Sequence, residues 1–367
     1  MQYLWGNFGM NMQTFFLVFS GLLIIISVLP FFRSQHWIFR VAEFIKLQLL
    51  VFQVPALAWG FYLLDGSPWI WGIQIAQALL IAYHIFILVR YTKFWRKEKY
   101  EKGKDASESI KVISCNVLQF NEEHQRFIEL IRKEKPQIFL TMESDALWEK
   151  ALRVLEPEYP NVVKVTLDNT YGMHFYTKLK VNRSQIHYFV ADDIPSIEAE
   201  LETADGHRFI FFAVHPPPPS PTEEENSKER DGDLLSVAKR VRDYKMPVVV
   251  TGDFNNVAWA RSSILFKKTS KLIDARIGRG ILSTFNANYW FFRVPLDLLF
   301  HSPNVFIDKL FIYPSVGSDH FPMGCTFFID RYSEEQAEDI EHLDPGELAE
   351  VDELISEGRQ EESDNRS

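Results

Sequence analysis

The sequence predicts an α+β fold: a two-sheet β-sandwich flanked by helices, a four-layer α/β sandwich, preceded by transmembrane helices. From residue 110 onward, short apolar runs bounded by polar turns alternate with amphipathic stretches, as expected for many strands with a few interspersed helices. Before residue 90, three long runs are nearly free of charge. We therefore divide the chain into a membrane anchor (1–90), a basic juxtamembrane linker (91–109), a folded domain (110–330) and an acidic tail (331–367).

The anchor is predicted to contain three membrane-spanning helices, at residues 14–32, 47–64 and 69–89. Each run approaches the ~20 residues that a helix needs to cross a bilayer. A cleaved signal peptide does not fit, because no basic residue precedes the first run and two more runs follow. Three buried soluble helices would need a large surrounding partner, so membrane insertion is the better interpretation.

Positive charge beside the runs predicts their orientation. The first loop carries Arg33, Arg40 and Lys46, whereas the second short loop carries only Asp65. A denser group follows the third run: Arg90, Lys93, Arg96, Lys97, Lys99, Lys102 and Lys104. With three spans both groups fall on one side, which the positive-inside rule makes the cytoplasm. We expect the basic linker to contact anionic head groups, with nucleic-acid binding as an alternative.

Charge and cysteine content exclude several classes of protein. The net charge is −10, but residues 333–367 hold fourteen acids against two arginines, which leaves the rest of the chain at +2. That body lacks the basic footprint of a duplex-binding protein. The tail is expected to be disordered apart from a possible short helix near 346–356. Two separated cysteines, Cys115 and Cys325, make neither a disulfide framework nor a zinc site and read as buried free thiols.

The pattern of the folded domain predicts its elements in order. Strands are expected at 110–117, 137–142, 161–166, 172–177, 183–190, 196–203, 207–214, 247–251, 294–301, 305–313 and 323–329. Helices are expected at 122–135, 145–155 and 231–244.

Polar side chains at strand ends are the candidate functional residues. Asn116 ends the first strand, where it could cap the next helix or hold a metal-bound ligand or a phosphate. Glu143 follows a buried strand, a costly place for a carboxylate without a cation, and is a candidate divalent-metal ligand. Asp145 fits the N-cap of a helix better than a metal ligand. His215 precedes a run of four prolines and fits the wall of a site better than a core.

Three further positions complete the set. Asp253 and Asn255 follow an apolar strand at i, i+2 spacing, so in an extended chain both project to one side. Asp297 lies inside an apolar strand and needs a partner, for which His320 is available. Asp319 and His320 occupy the tight turn Gly317–Pro322 and offer a metal-ligand oxygen and a titrating imidazole.

Taken in order, the stretches SCNV, TMESD, AVHPPPP, TGDFNN, VPLDLLF and VGSDHFP resemble the endonuclease/exonuclease/phosphatase superfamily of metal-dependent phosphodiesterases and phosphatases. They span residues 114–322, and the closest similarity is to its bacterial membrane-anchored branch. The resemblance implies Mg²⁺ or Mn²⁺ as cofactor. It implies metal and phosphate positions at Asn116, Glu143 and Asp319, and catalytic positions at His215, Asp253, Asn255, Asp297 and His320. Leu118 stands where some nucleases of the superfamily carry an acid, which bears on the number of metals.

The resemblance therefore implies a multi-pass protein of the bacterial inner membrane with a catalytic domain on the cytoplasmic side. The implied activity is hydrolysis of a phosphodiester, in the manner of a nuclease. A phospholipid or phosphoinositide phosphodiesterase or phosphatase is the alternative, and a non-catalytic membrane scaffold is a second one. The expected partners are the lipid bilayer and a phosphate-ester substrate. A basic group between Arg261 and Arg279 could contact phosphates beyond the scissile one, or form a solvated helix face.

Overall fold

The computed structural model describes residues 2–63, 67–95, 100, 102–220 and 223–361. Its helices are α1 Gln2–Val28, α2 Trp37–Phe44, α3 Lys46–Tyr62, α4 Pro68–Val89, α5 His124–Glu134, α6 Ala146–Leu152, α7 Lys228–Arg242, α8 Arg261–Ser270 and α9 Glu347–Gln360. Its strands are β1 Ile110–Asn116, β2 Ile138–Met142, β3 Asn161–Val165, β4 Met173–Thr177, β5 Lys180–His187, β6 Ser196–Glu202, β7 Arg208–Val214, β8 Val248–Asp253, β9 Ile273–Asp274, β10 Asp297–His301, β11 Val305–Ile312 and β12 Met323–Ile329.

The predicted sandwich is confirmed. One sheet has the order β11-β12-β1-β2-β4-β3 and the other β5-β6-β7-β8-β10-β9. Apolar residues of both inner faces, among them Leu140, Phe175, Phe211 and Leu299, form the core between the sheets. Helices α5 and α6 cover the outer face of the first sheet, and α7 and α8 cover that of the second. The order of layers is thus helix, sheet, sheet, helix.

Two of the runs predicted to span a membrane form helices that are candidates for this by length and composition. Met12–Phe31 and Pro68–Val89 are long and apolar enough to cross a membrane. The second predicted span, 47–64, differs from expectation: it is α3, which is joined to α2 with a bend of 73°. The two helices together qualify as one broken span, so the described part of the chain has two candidate spans, or three if the bent pair counts. Leu64 lies outside the described residues.

The acidic tail is not disordered in the part that the structure describes, which corrects the prediction. Residues 347–360 form α9, longer than the short helix expected, and residues 362–367 lie outside the described range. The buried side chains of Val351 and Ile355 pack on Leu235 of α7 and Leu265 of α8. The helix is stable here because these apolar residues find a receiving surface that the local sequence does not reveal.

The linker is irregular where it is described, while residues 96–99 and 101 lie outside the described range. Its first residue, Tyr91, is buried and packs edge-on against Trp259. The carbonyl of Arg90 accepts a hydrogen bond from Gly278 N at 2.8 Å. These contacts attach the end of α4 to the folded domain.

Candidate active site

The candidate residues meet because each sheet has one parallel pair near its centre, β1–β2 and β7–β8. The carboxyl ends of parallel strands lie at the same edge of a sheet, so the residues that follow them are neighbours. In the first sheet Asn116 is in register with Met142, directly before Glu143. In the second, Val214 is in register with Gly252, which places His215 beside Asp253.

The remaining candidate residues lie on antiparallel neighbours of these strands: β10 beside β8, and the turn before β12 beside β1. Asp297 begins β10 directly opposite Asp253. The turn before β12 brings Asp319 and His320 to the end of β1, where the Ser318 hydroxyl donates to the carbonyl of Asn116 at 2.8 Å. The same hydroxyl accepts from His320 N at 2.9 Å. Ser318 therefore fixes the turn on which the final histidine stands.

His320 is held between two carboxylates, as its predicted pairing with Asp297 requires. Its Nδ1 donates to Asp297 Oδ2 at 2.9 Å, and its Nε2 lies 3.4 Å from Asp253 Oδ2. Burial alone would lower the pKa of His320, but the charges of Asp253 and Asp297 outweigh it and raise the pKa to about 10. The ring is thus an imidazolium at neutral pH.

Asn116 bridges the two sheets. Its Nδ2 donates to Glu143 Oε1 at 2.7 Å and to Asp253 Oδ2 at 3.1 Å, so one amide holds both carboxylates. Its Oδ1 accepts from Leu118 N at 3.0 Å, which closes a local turn rather than capping α5. Burial raises the pKa of Glu143 to about 7, although the hydrogen bond from Asn116 opposes this.

Asp253 and Asn255 do not lie on one side of an extended strand, which corrects that expectation. Strand β8 ends at Asp253, and Asn255 has a left-handed backbone with φ of 47°. Asn255 N donates to Asp253 Oδ1 at 2.9 Å, and Asn255 Nδ2 donates to the carbonyl of Pro216 at 2.9 Å. The amide therefore joins the end of β8 to the proline run.

His215 lies on the same side of the cleft. Its Nε2 is 4.0 Å from Asp253 Oδ2, and no hydrogen-bond partner for Nδ1 is found among the described residues. Burial lowers the pKa of His215 to about 4, even though Asp253 opposes this, so the ring is neutral at pH 7. The two histidines thus present one charged and one neutral imidazole.

Backbone strain is concentrated at this edge. Leu118, Glu143 and Asn255 all have positive φ without being glycine, with values of 59°, 58° and 47°. Gly252 has φ of 151°, and a Cβ there would collide with the carbonyl oxygen of Val214. Such conformations persist where surrounding structure holds them and are frequent at functional sites.

The side chains line one cleft of about 550 Å³. Seven of the eight predicted site residues border it: Asn116, Glu143, His215, Asp253, Asn255, Asp319 and His320. Asp297 lies behind them, fully buried against His320. The structure thus brings the whole predicted set together, while the roles assigned to the members stay predictions. Asp145 is the N-cap of α6, as expected, and accepts from Leu147 N and Trp148 N.

The donor set fits a divalent cation of the Mg²⁺ type. Four acids border the cleft, Glu143, Glu223, Asp253 and Asp319, and Asp297 lies behind them, against one imidazolium, so a phosphate would meet net negative charge without a metal. Among the described residues no three His, Cys, Asp or Glu side chains form a closed cage. Mg²⁺ does not need one, since it keeps several waters and is held by one or two carboxylates.

The basic residues that follow Asp253 do not point to a substrate. Arg261 pairs with Glu347 at 2.8 Å and Glu350 at 2.5 Å, both on α9. Lys268 pairs with Asp344 and Glu347, and Lys267 with Glu341. The acidic tail of the chain itself therefore occupies these three cations. Of the other basic residues up to Arg279, Lys271 is exposed, Arg276 is buried and Arg279 donates to backbone carbonyls. None of the six borders the cleft.

Two parts of the cleft were not predicted from the sequence: Gln119 and helix α2. The backbone N–H of Gln119 donates to Glu143 Oε2 at 3.3 Å and so holds the glutamate, while the side-chain Oε1 of Gln119 accepts from Thr170 N at 2.8 Å. Helix α2, which was not predicted, supplies an apolar wall. Its spacing of Trp37, Val41 and Phe44 is helical and could have been recognised between the first two spans.

Comparison with known proteins agrees with the site geometry. A sequence profile of the Endonuclease/Exonuclease/phosphatase family matches residues 113–320, more than half of the chain. The chain belongs to this family. Members of the Endonuclease/Exonuclease/phosphatase family are hydrolases that act on phosphoester bonds. Among curated proteins no significant match to the sequence is found.

Solved structures share the fold of the Endonuclease/Exonuclease/phosphatase family at low identity. Humanized D. rerio TDP2 aligns with a TM-score of 0.51 and 18% identity, over 60% of this chain and 99% of that chain. D. rerio TDP2 complexed with a single-strand DNA product gives 0.51 and 17%, over 60% and 99%. An endonuclease/exonuclease/phosphatase of Beutenbergia cavernae gives 0.50 and 12%, over 61% and 72%. These similarities establish the fold alone.

Proposed function

We propose that this protein is a membrane-anchored phosphoesterase that hydrolyses a phosphodiester with the help of Mg²⁺ or Mn²⁺. The observation that carries the proposal is the buried chain Asp297–His320–Asp253 beside the Asn116–Glu143 pair in one cleft. It combines a fixed imidazolium, a carboxylate next to it and oxygen ligands for a cation. These groups are the ones needed for water to attack phosphorus and for the developing negative charge to be stabilised.

Asp253 is the residue we assign to the attacking water. One carboxylate oxygen is fixed by Asn255 N at 2.9 Å and the other by Asn116 Nδ2 at 3.1 Å. A carboxylate held from both sides can orient a water molecule for in-line attack and accept its proton. Asn255 holds this carboxylate and the proline run in position, and the second N–H of its amide is the one that would serve as the predicted phosphate donor.

His320 and His215 are the residues we assign to the phosphoryl oxygens. His320 is a cation at neutral pH and is kept in one orientation by Asp297. His215 is neutral and can donate one ring N–H. Preorganised donors in a largely buried site stabilise developing oxyanion charge more strongly than water does.

Glu143, Asn116 and Asp319 are the residues that would hold the divalent cation. The family generally depends on such ions, and the cation would supply Lewis-acid stabilisation of a phosphoryl oxygen. Glu143 suits this task because its carboxylate is partly buried and its hydrogen bonds come from neutral donors, the amide of Asn116 and the backbone of Gln119. A carboxylate withdrawn from water that forms no direct ion pair is stabilised by a bound cation.

Helices α1 and α4 support the anchoring part of the proposal, because their length and apolarity suit a bilayer. Positive charge on the first loop and after α4 favours a cytoplasmic domain at a bacterial inner membrane. Nucleic acid as substrate loses support, since Arg261, Lys267 and Lys268 are paired with the tail and no basic residue from Arg261 to Arg279 borders the cleft.

Hydrolysis of bis-p-nitrophenyl phosphate by the full chain in detergent tests the proposal. Turnover should require Mg²⁺ or Mn²⁺, stop with EDTA, and fall at least about 10³-fold in Asp253→Ala. Absence of turnover with either metal, or an Asp253→Ala variant as active as the unaltered chain, would overturn it.

A further inference from the structure

One wall of the cleft is built from the membrane anchor rather than from the folded domain. Trp37, Val41, Phe44 and Ile45 border the same space as Asp253 and His320. Their spacing of four, three and one residues places them along one face of α2 and its end. Val41 is 39% exposed even though it is apolar, so the wall presents an open hydrophobic surface to whatever enters the cleft.

Specific contacts hold this wall in place. Trp37 N donates to the carbonyl of Glu225 at 3.0 Å, and Trp259 Nε1 donates to the carbonyl of Glu43 at 2.7 Å. Behind it, Gln48 of α3 donates to the carbonyl of Arg293 at 3.1 Å. Helix α2 is therefore fixed to the folded domain near both of its ends, and it continues into α3 with a bend of 73°.

The opposite side of the mouth is also apolar. Phe120 is 76% exposed and Phe292 is 44% exposed, and both border the cleft. Val294 and Leu296 continue this surface inward. The cleft thus has polar catalytic groups at its base and apolar walls that lead toward the anchor.

Charge at the cleft argues against a polynucleotide. Within the part of the chain that the structure describes, the residues bordering the cleft include no Lys or Arg, whereas Glu223 adds a further acid. A nucleic acid brings several phosphates besides the scissile one, and its affinity depends on cations that meet them. A substrate with a single phosphate and long apolar groups matches this surface better.

We propose that the substrate is a glycerophospholipid of the bilayer, taken up between α2 and the Phe120–Phe292 side of the cleft. This inference rests on the proposed phosphoesterase function. The phosphodiester reaches Asp253 and His320 while the acyl chains lie against Trp37, Val41 and Phe44. Water forms a new P–O bond, one P–O ester bond breaks, and the departing alkoxide takes up a proton. The products are a phosphomonoester and an alcohol.

The test uses the full chain reconstituted in vesicles of equal parts phosphatidylethanolamine and phosphatidylglycerol, with Mg²⁺. Mass spectrometry follows diacylglycerol, phosphatidic acid and the free head groups. Bis-p-nitrophenyl phosphate and a single-stranded oligonucleotide are offered to the same preparation. We expect lipid products above the level of the Asp253→Ala variant and no cleavage of the oligonucleotide.

A matched pair of variants on α2 tests the wall itself. Val41→Asn puts an amide into the cleft, whereas Ile38→Asn changes a similarly exposed residue of the same helix that does not border it. Val41→Asn should lower the ratio of vesicle hydrolysis to soluble-diester hydrolysis about ten-fold. Ile38→Asn should leave that ratio at the value of the unaltered chain.

The outcomes distinguish failure of the lipid substrate from failure of the phosphoesterase function. Metal-dependent hydrolysis of the soluble diester without lipid products, or with cleavage of the oligonucleotide instead, overturns the lipid substrate and leaves the phosphoesterase function standing. An equal change of the ratio in both α2 variants overturns the role of the wall. No hydrolysis of any of the three substrates overturns both proposals.

Discussion

The charge of His320 depends on residues that the sequence separates widely. Asp297 contacts its Nδ1 from β10, and Asp253 lies beside its Nε2 at the end of β8. Only the meeting of the two sheets makes this ring a cation at neutral pH. Asp297 touches no part of the cleft surface, so we regard it as a positioning residue.

Asp297→Asn should lower kcat for a soluble phosphodiester about 100-fold, with a much smaller change in KM. The amide keeps the shape of the side chain but removes the charge that holds the imidazolium. Steady-state kinetics on the full chain measure both constants. Asp308→Asn on the exposed part of β11 is the matched control and should behave as the unaltered chain. Equal kcat in the two variants would contradict the role of Asp297.

Glu143→Gln should weaken Mn²⁺ binding at least about ten-fold, because it removes the buried carboxylate best placed to hold the ion. Electron paramagnetic resonance of Mn²⁺ titrated into the full chain gives the affinity without reliance on turnover. Glu149→Gln, on α6 and outside the cleft, is the control. Undiminished binding in Glu143→Gln would show that the metal is held elsewhere.

At the scale of elements, helix α9 docks on α8 and supplies the partners of its basic residues. The basic residues of α8 and the acidic residues of the tail pair across a small apolar contact around Val351. Charge patterning alone predicted a disordered tail and free cations. That prediction failed because Leu235 and Leu265, which receive the apolar face of α9, lie far from it in the sequence.

Val351→Asp should release α9, since a carboxylate would be buried in an apolar contact. Limited digestion of the full chain with a glutamate-specific protease should then cut the tail about ten-fold faster. Leu348→Asp changes an exposed residue of the same helix and should leave the rate unchanged. Equal rates in the two variants would contradict the docking of α9.

Glu198 joins β6 to its surroundings, with His187 on β5, Arg240 on α7 and Tyr244 as partners. Burial would raise the pKa of Glu198, but hydrogen bonds from His187, Tyr244 and Arg240 lower it from 4.5 to about 2. A depressed pKa in the folded state stabilises the protein above pH 4.5, and this stabilisation is lost as the pH falls through about 2.

Glu198→Gln should therefore lower the free energy of unfolding at pH 7 by about 1 to 3 kcal/mol. The difference from the unaltered chain should shrink as the pH falls from 4.5 toward 2. Chemical unfolding of the full chain in detergent, followed by tryptophan fluorescence, measures it. Glu122→Gln on the surface is the control. A difference independent of pH would contradict the ionised state of Glu198.

At the scale of the whole molecule, the sandwich predicted from the sequence is confirmed, and seven of the eight candidate residues border one cleft while their roles stay predictions. Strands β1 and β8 are largely apolar and end in a polar residue, and β2 is followed directly by Glu143, so the signal is local in the sequence. Helices α2 and α8 were missed: α2 lies in the predicted first loop despite its helical apolar spacing, and α8 has one contiguous apolar group. What the sequence could not reveal is long-range contact, namely the α2 wall and the docked tail.

The most direct test of the whole interpretation is hydrolysis of bis-p-nitrophenyl phosphate by the full chain in ¹⁸O-labelled water. With Mg²⁺ we expect one ¹⁸O atom in the phosphomonoester, none in the nitrophenol, and no product once EDTA is added. That result would place the attack at phosphorus and tie it to the cation. Label in the nitrophenol, or equal labelling of the monoester in EDTA, would contradict metal-assisted attack of water on phosphorus.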